Sequence, residues 1–259
     1  MPTSPLYRRI AAELREDILN GQLKPGEQLP TEQDLCARYE VSRNTVRLAL
    51  GALTNEGLTA SARGRGHYVR ERATFTYYAS RSELADRPAS ERQDAYFSEV
   101  REQGREPSQK FEMRLISASV EIAERLRIEE GEAAVLRRIY RYLDGQPWSV
   151  QDSYYPMDLA EGTEIMSPRN IDRGIIRVLA EQGHEEIGRI DEVTARMPTP
   201  DETHILELDP GVPVLRFART TYTTSRPVRL TITVFPADRN RLVFEQGDLR
   251  AYYEPPEPA

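Results

Sequence analysis

In the stretch VSRNTVRLAL, Val41 to Leu50, two arginines, an asparagine and two hydroxyl side chains are interleaved with aliphatic residues. At helical spacing Val46 and Leu50, with Leu53 beyond, form one stripe. Arg43, Asn44 and Arg47 form another, with Thr45 beside them and Ser42 just ahead in a capping position. A guanidinium can read guanine through two hydrogen bonds, an amide can pair with adenine, and hydroxyls can hold phosphate oxygens. All of these groups fall within the first turn and a half, where free backbone amides and the positive end of the helix also favour an anion. This is the layout of a helix that enters a major groove by its N-terminal end. An exposed amphipathic helix carrying incidental arginines accounts for the same ten residues equally well.

A reading helix needs a platform. Ser4 followed by Pro5 can start a helix, because a serine oxygen caps free amides and proline is tolerated in the first turn. Tyr7, Ile10, Ala11, Leu14, Ile18 and Leu19 then recur at helical spacing until Asn20-Gly21 ends the run. After the loop LKPGEQLP, Thr31 opens a second helix with Asp34 three residues on, a variant of the capping box, and Leu35 and Tyr39 supply its apolar face. The third helix, capped by Ser42, runs to Gly57. GLTASARGRGHYV reads as two short strands around Arg63-Gly64-Arg65-Gly66, a basic turn suited to a narrow groove or the phosphate backbone. A helix-turn-helix followed by a basic wing is far more specific than either part.

The 259 residues carry 35 basic and 42 acidic side chains, and the net charge of -7 at first argues against a nucleic-acid partner. What matters is where the charges sit. Residues 41–72 hold 6 basic against 2 acidic side chains, whereas the chain after residue 72 holds 24 against 33. The length suggests two modules. No window approaches the run of about 20 apolar residues that a spanning helix needs, and MPTSPLYRRI lacks a signal-peptide apolar stretch, so a cytoplasmic location without membrane contact is expected. Cys36 is the only cysteine, which excludes an intrachain disulfide and a Cys-based zinc cluster, and it reads as a buried small hydrophobe.

Beyond residue 72 the organising signal is an internal repeat at a fixed offset. The segment 122–156 parallels 202–236: Leu126 matches Leu206, Gly131 matches Gly211, Tyr142 matches Tyr222, Pro147 matches Pro227 and Pro156 matches Pro236. Each copy reads as short helix, glycine turn, strand, tight turn, strand. Two such hairpins are expected to join one antiparallel sheet, with further strands at 109–118 and 188–196 and a helix at 174–182. The expected fold is α+β: a winged helix-turn-helix domain over 1–72, a charged linker over 73–92 with little core of its own, a second domain over 93–250 and a flexible tail over 251–259.

YRRIAAELREDILNGQLKPGEQLPTEQDLCARYEVSRNTVRLALGALTNEGLTASARGRGHYV closely resembles the winged helix-turn-helix domain of GntR-family transcription regulators, with the landmarks PG..LP.E..L, VSR.TVR.AL, L..EGL and GRG.YV. The resemblance implies that Arg43, Thr45 and Arg47 contact operator DNA, that Ser42 and Asn44 assist, and that the wing Arg63, Gly64, Arg65, Gly66 reaches the minor groove. Gln33 matches a position that can be arginine in relatives. Residues 90–246, through RYLDGQPWSVQDSYYP, GIIRVLAEQGH, ARMPTP and PVRLTITVFPADRNRLVF, resemble the UTRA ligand-sensing domain of the HutC subfamily, which has a chorismate-lyase-like fold. By that resemblance Arg141 stands where arginine often binds an effector anion, and Ile139 departs from a second arginine. Gln151 and Arg229 replace glutamates that meet the amine in amino-sugar-phosphate sensors, which makes an acidic or neutral effector the expectation. Ala95-Tyr96-Phe97, Gly174 to Ile176 and Phe235 would line the cleft, although Tyr96, Ile176 and Phe235 are equally accounted for by core packing.

The function implied is a DNA-binding regulator, a homodimeric repressor of a palindromic operator that responds to a small molecule, with no metal or other cofactor. Two alternatives stay open. One is a repressor of mobile-element or plasmid-transfer genes whose effector site has decayed. The other is a lyase-like enzyme fused to a DNA-binding domain. Against the latter, His67, His184 and His204 are the only histidines, and GxSxG, HExxH and Cys-His pairings are missing from the sequence.

Overall fold

Leu14 follows Ile10 and Ala11 by one helical turn, and all three are buried against Leu35, Val46, Ala49, Leu50 and Leu53. The computed structural model describes residues 5–62, 66–70, 74–79, 97–171 and 173–246. Ser4, Arg63, Gly64, Arg65, Ala95, Tyr96, most of the linker and the tail 251–259 lie outside the described residues. The chain divides into two compact units. One is built from residues 1–74 with the returning segments 197–214 and 237–239, and the other from 75–196, 215–236 and 240–259.

In the first unit α1 (Leu6–Leu19), α2 (Glu32–Tyr39) and α3 (Arg43–Asn55) enclose the core, and β1 (Thr59–Ala62) and β2 (Gly66–Val69) form an antiparallel hairpin. The expected capping box closes α2: Thr31 Oγ1 accepts from the Asp34 amide at 3.2 Å and the Asp34 carboxylate accepts from the Thr31 amide at 3.1 Å. The Thr31 hydroxyl, donating to the same carboxylate at 2.6 Å, and then the Thr31 amide hold the Asp34 carboxyl below the usual carboxylate range. Glu40 ends α2 in the left-handed conformation, φ 53°, and the chain turns sharply into α3. The loop LKPGEQLP is not free of the wing. Leu29 donates to the His67 carbonyl at 2.8 Å and Val69 to the Glu27 carbonyl at 2.8 Å, which adds a third chain to the hairpin.

Two expectations fail here. Leu19 is 69% exposed, because the inward stripe passes through Ile18 and the next residue turns away from it. Cys36 is half-buried at the margin of the core rather than enclosed in it. Helix α3 runs to Asn55, and Gly57, φ 70°, stops it just past the Glu56 cap, as expected.

The returning segments pack within this first unit. Gly211, φ +80°, lies so close to the end of α3 that an added Cβ would stand 2.5 Å from the Asn55 carbonyl oxygen. Arg70, at the end of the wing, is buried between Asp238 at 2.7 Å and Asp209 at 3.0 Å.

The second unit is a six-stranded sheet in the order β4-β5-β6-β9-β8-β7: β4 (Pro107–Ser117), β5 (Ala133–Leu143), β6 (Gln146–Pro156), β7 (Gly188–Arg196), β8 (Val214–Tyr222) and β9 (Pro227–Pro236). Antiparallel pairing joins β4 to β5, β5 to β6 and β6 to β9. Asp144 and Gly145, φ 52° and 78°, make the two-residue turn of the first hairpin with the twist that flanking strands require. The sheet order is symmetric about the β6–β9 pair, so each half places the outer strand, the first hairpin strand and the second hairpin strand alike. The internal repeat therefore extends to β4 and β7.

Residues 75–78, expected as linker, instead form β3 (Phe75–Tyr78), which pairs in parallel with β10 (Asn240–Val243). Phe75 and Tyr77 are buried against Trp148, with the Phe75 and Trp148 ring centroids 4.7 Å apart. The Trp148 indole N–H donates to Asn240 Oδ1, and Asn240 Nδ2 donates to the Pro236 carbonyl at 2.8 Å. Buried indole and amide groups are thus satisfied where the cluster meets β10.

Two glycines give opposite expectations. Gly211→Ala adds a methyl where backbone already sits and φ is positive, and should cost about 2 kcal/mol or more of stability. Gly51→Ala, in the middle of α3 with nothing within 4 Å, should add about 0.5–1 kcal/mol. Thermal melts of the two variants check both signs.

Candidate functional site

Ser42 caps α3, its Oγ accepting from the Thr45 amide at 3.3 Å and lying 2.9 Å from Thr45 Oγ1. The cap fixes the first turn, and from it Arg43, Asn44 and Arg47 project with exposed side chains; Ser42 and Gln33 are exposed as well, and Thr45 is half-buried. Val46, Ala49, Leu50 and Leu53 are buried on the other side. Gly66, at the base of the wing, is exposed. The expected reading residues within the described chain therefore share the accessible part of the first unit. Sequence reasoning missed Glu32, the first residue of α2, whose carboxylate accepts from Arg47 Nε at 3.0 and 3.2 Å and lies 3.3 Å from Arg43 Nε.

The second unit contains a cleft of about 250 Å³ on one face of its sheet. Alternate residues of β5, β6 and β9 point into it: Arg137, Ile139 and Arg141; Gln151, Ser153 and Tyr155; Arg229, Thr231 and Thr233. Gly174, Ile175, Ile176 and Arg177 close it from the start of the helix Ile175–Glu181. The lining includes six arginines and one carboxylate, Glu99. The structure thus brings together Arg141, Gln151, Gly174, Ile176 and Arg229. Phe97 and Phe235 do not line the cleft: both pack with Trp148 and Phe75 in the aromatic cluster, and Phe235 is fully buried there. Phe235 continues the alternation of Thr231 and Thr233, but it lies at the end of β9, where the aromatic cluster has taken the place of the cleft.

The cleft cations differ in what holds them. Arg219 is paired with Asp191 through two bonds, 2.6 and 2.8 Å, and Arg229 with Glu186 at 3.0 Å. The charge of Arg229 therefore arrives with its own carboxylate. Arg141 Nη1 donates to Gln151 Oε1 at 3.0 Å, a bond a carboxamide supports without neutralising the charge. Arg137, missed in the sequence reading, donates to three carbonyls: Ile165 at 2.9 Å, Ser167 at 2.5 Å, and Arg169 at 2.7 Å. Burial lowers its pKa, and among the described residues it has no carboxylate partner. It fixes the loop ahead of Gly174 and leaves positive charge at the cleft floor. Burial pushes the Tyr155 phenol up, so this lining hydroxyl remains protonated and able to donate.

The family model for "Bacterial regulatory proteins, gntR family" matches residues 6–69, and that for the "UTRA domain" matches 102–241. An uncharacterized HTH-type transcriptional regulator of Streptomyces coelicolor is 34% identical over 244 residues, covering 88% of this chain and 87% of that protein. The chain belongs to the GntR family of bacterial transcription regulators. The HTH-type transcriptional repressor NagR of Bacillus subtilis is 28% identical, covering 84% of each chain. A solved structure of a GntR-family transcriptional regulator superposes with a TM-score of 0.63 at 27% identity over 95% of this chain and 98% of that one.

This regulator accordingly joins a GntR DNA-binding head to a UTRA domain, the architecture expected from its motifs. Its relatives are named as transcriptional regulators. Among the described residues no helix is long and apolar enough to cross a membrane.

Arg137→Leu in this regulator should strip three carbonyls of their donor and lower stability by about 1–3 kcal/mol, read by denaturant unfolding. An unchanged midpoint would show that the loop holds itself.

Proposed function

We propose that the regulator is a repressor that binds a palindromic operator as a homodimer in the bacterial cytoplasm and responds to an acidic small molecule held in its UTRA cleft. The observation that carries this reading is the pairing, on one chain, of an exposed Arg43-Asn44-Arg47 helix start with a cleft lined by six arginines and one acid. Arg43, Asn44 and Arg47 read bases, Ser42 and Thr45 hold the backbone, Gln33 adds a contact from α2, and the wing at Arg63, Gly64, Arg65 and Gly66 lies along the neighbouring groove. Arg141 and Arg137 attract the effector anion, Gln151, Ser153 and Thr231 orient it, and Gly174 and Ile176 close over it. A two-fold dimer places two reading helices on the half-sites of a palindrome. Repression is supported by a relative that is itself named a repressor. For the effector to act, it must bind the DNA-competent and DNA-incompetent forms unequally.

The test uses gel shifts on DNA from upstream of the protein's own gene. Arg47→Ala should cost about 1–3 kcal/mol in specific binding and relax the preference at one position of each half-site. Unchanged affinity and preference would remove Arg47 from the interface. Arg141→Ala should bind that DNA normally and lose its response to the acidic metabolite that releases the wild type. A normal response would place the effector elsewhere, and failure of every metabolite to release the wild type would favour a decayed sensing site.

A further inference from the structure

Glu32 is an anomaly for a surface that must meet phosphate. It stands between the two arginines at the head of α3, and a carboxylate there repels the DNA backbone. Arg47 donates to it through Nε, at 3.0 Å to Oε1 and 3.2 Å to Oε2, and Arg43 approaches Oε2 through Nε at 3.3 Å. The guanidinium groups nevertheless stay open: the arginine side chains are 64% and 62% exposed while Glu32 is 27% exposed. Both arginines are thus gripped on the Nε side, and their terminal Nη groups have no hydrogen-bond partner among the described residues.

We propose that Glu32 is a positioning residue for base reading: one carboxylate braces Arg43 and Arg47 so that their terminal nitrogens face outward as two fixed forks. The inference rests on the DNA-reading role given above to those arginines. Arg43 and Arg47 are one turn apart on one helix face, where like charges repel, and without a bridging anion they splay. Long side chains that are already held lose less freedom when they engage a base. The brace also reaches the wing strand: burial lowers the His67 pKa, and the Glu32 charge opposes that shift, so the carboxylate lies within electrostatic reach of β2. Its repulsion of phosphate falls on every DNA sequence alike. Glu32 therefore weakens generic binding while sharpening the specific kind, which is how discrimination is gained by penalising the wrong partners.

The full-length protein and its Glu32→Gln and Glu32→Asp variants are tested against two probes, without effector. One is a duplex library with a randomised centre, from which bound molecules are selected and sequenced. The other is bulk random-sequence duplex, titrated over a range of salt. Glu32→Gln should bind bulk duplex several-fold more tightly, with a salt dependence steeper by about one unit. Its preference for the wild-type motif over bulk duplex should fall roughly tenfold. Glu32→Asp keeps the charge and shortens the reach, so its bulk binding should match the wild type while its preference falls. A role confined to joining α2 and α3 would lower the melting temperature and leave the preference ratio of the folded protein intact. That ratio, equal in wild type and both variants, overturns the proposal. If the wild type itself enriches no motif, it is the DNA-reading assignment of Arg43 and Arg47 that falls.

Discussion

A guanidinium group keeps its charge at every physiological pH, so in a protein with 33 arginines and 2 lysines every arginine that leaves water needs a partner for its donors. In this regulator the partner decides the role. Arg138 is locked to Asp152 by two bonds of 2.6 Å, and Arg219 to Asp191 by bonds of 2.6 and 2.8 Å; these arginines are scaffold. Arg137 is held by backbone carbonyls, which satisfy its donors and leave its charge standing at the cleft floor. Arg43 and Arg47 are held on one side only, by Glu32, and present the other side to solvent. The same side chain thus serves packing and, in the function proposed above, anion attraction and base reading.

The sheet of the second unit gives the cleft its geometry. The two hairpins of the internal repeat meet at the β6–β9 pair, and residues from both copies face one cavity. A repeat of this kind produces similar strand placement and leaves the side chains free to differ. Ile139 and Arg219 occupy equivalent positions of the two copies; one is an apolar wall and the other an ion-paired cation. The cleft is therefore asymmetric in chemistry although the backbone around it is symmetric, which is what recognition of an asymmetric small molecule requires.

Much of this was legible in the sequence because the signals are local. The capping residues Ser42 and Thr31, the apolar stripe Val46-Leu50-Leu53 and the bounds of β7 follow from spacing and cap chemistry within a few residues. Strand β3 carried a signal that went unused: Phe75-Thr76-Tyr77-Tyr78 is a run of strand-forming residues inside a charged context that reads as linker. Phe235 could not be placed, since cleft and aromatic cluster ask for the same residue type. Glu32 was invisible because its partners belong to the next helix and meet it only when α2 turns into α3 at Glu40. Arg137 was invisible for a different reason: its partners are carbonyls, which every residue possesses.

If the arginines of α3 read guanine from the major groove, as proposed, the most direct measurement is chemical probing of guanine N7 on a bound duplex. Protein bound to DNA from its own upstream region should protect guanine N7 atoms in two half-sites separated by a whole number of helical turns, and Arg47→Ala should lose that protection while backbone contacts persist. Guanine N7 atoms equally reactive in the free and bound duplex would contradict the account.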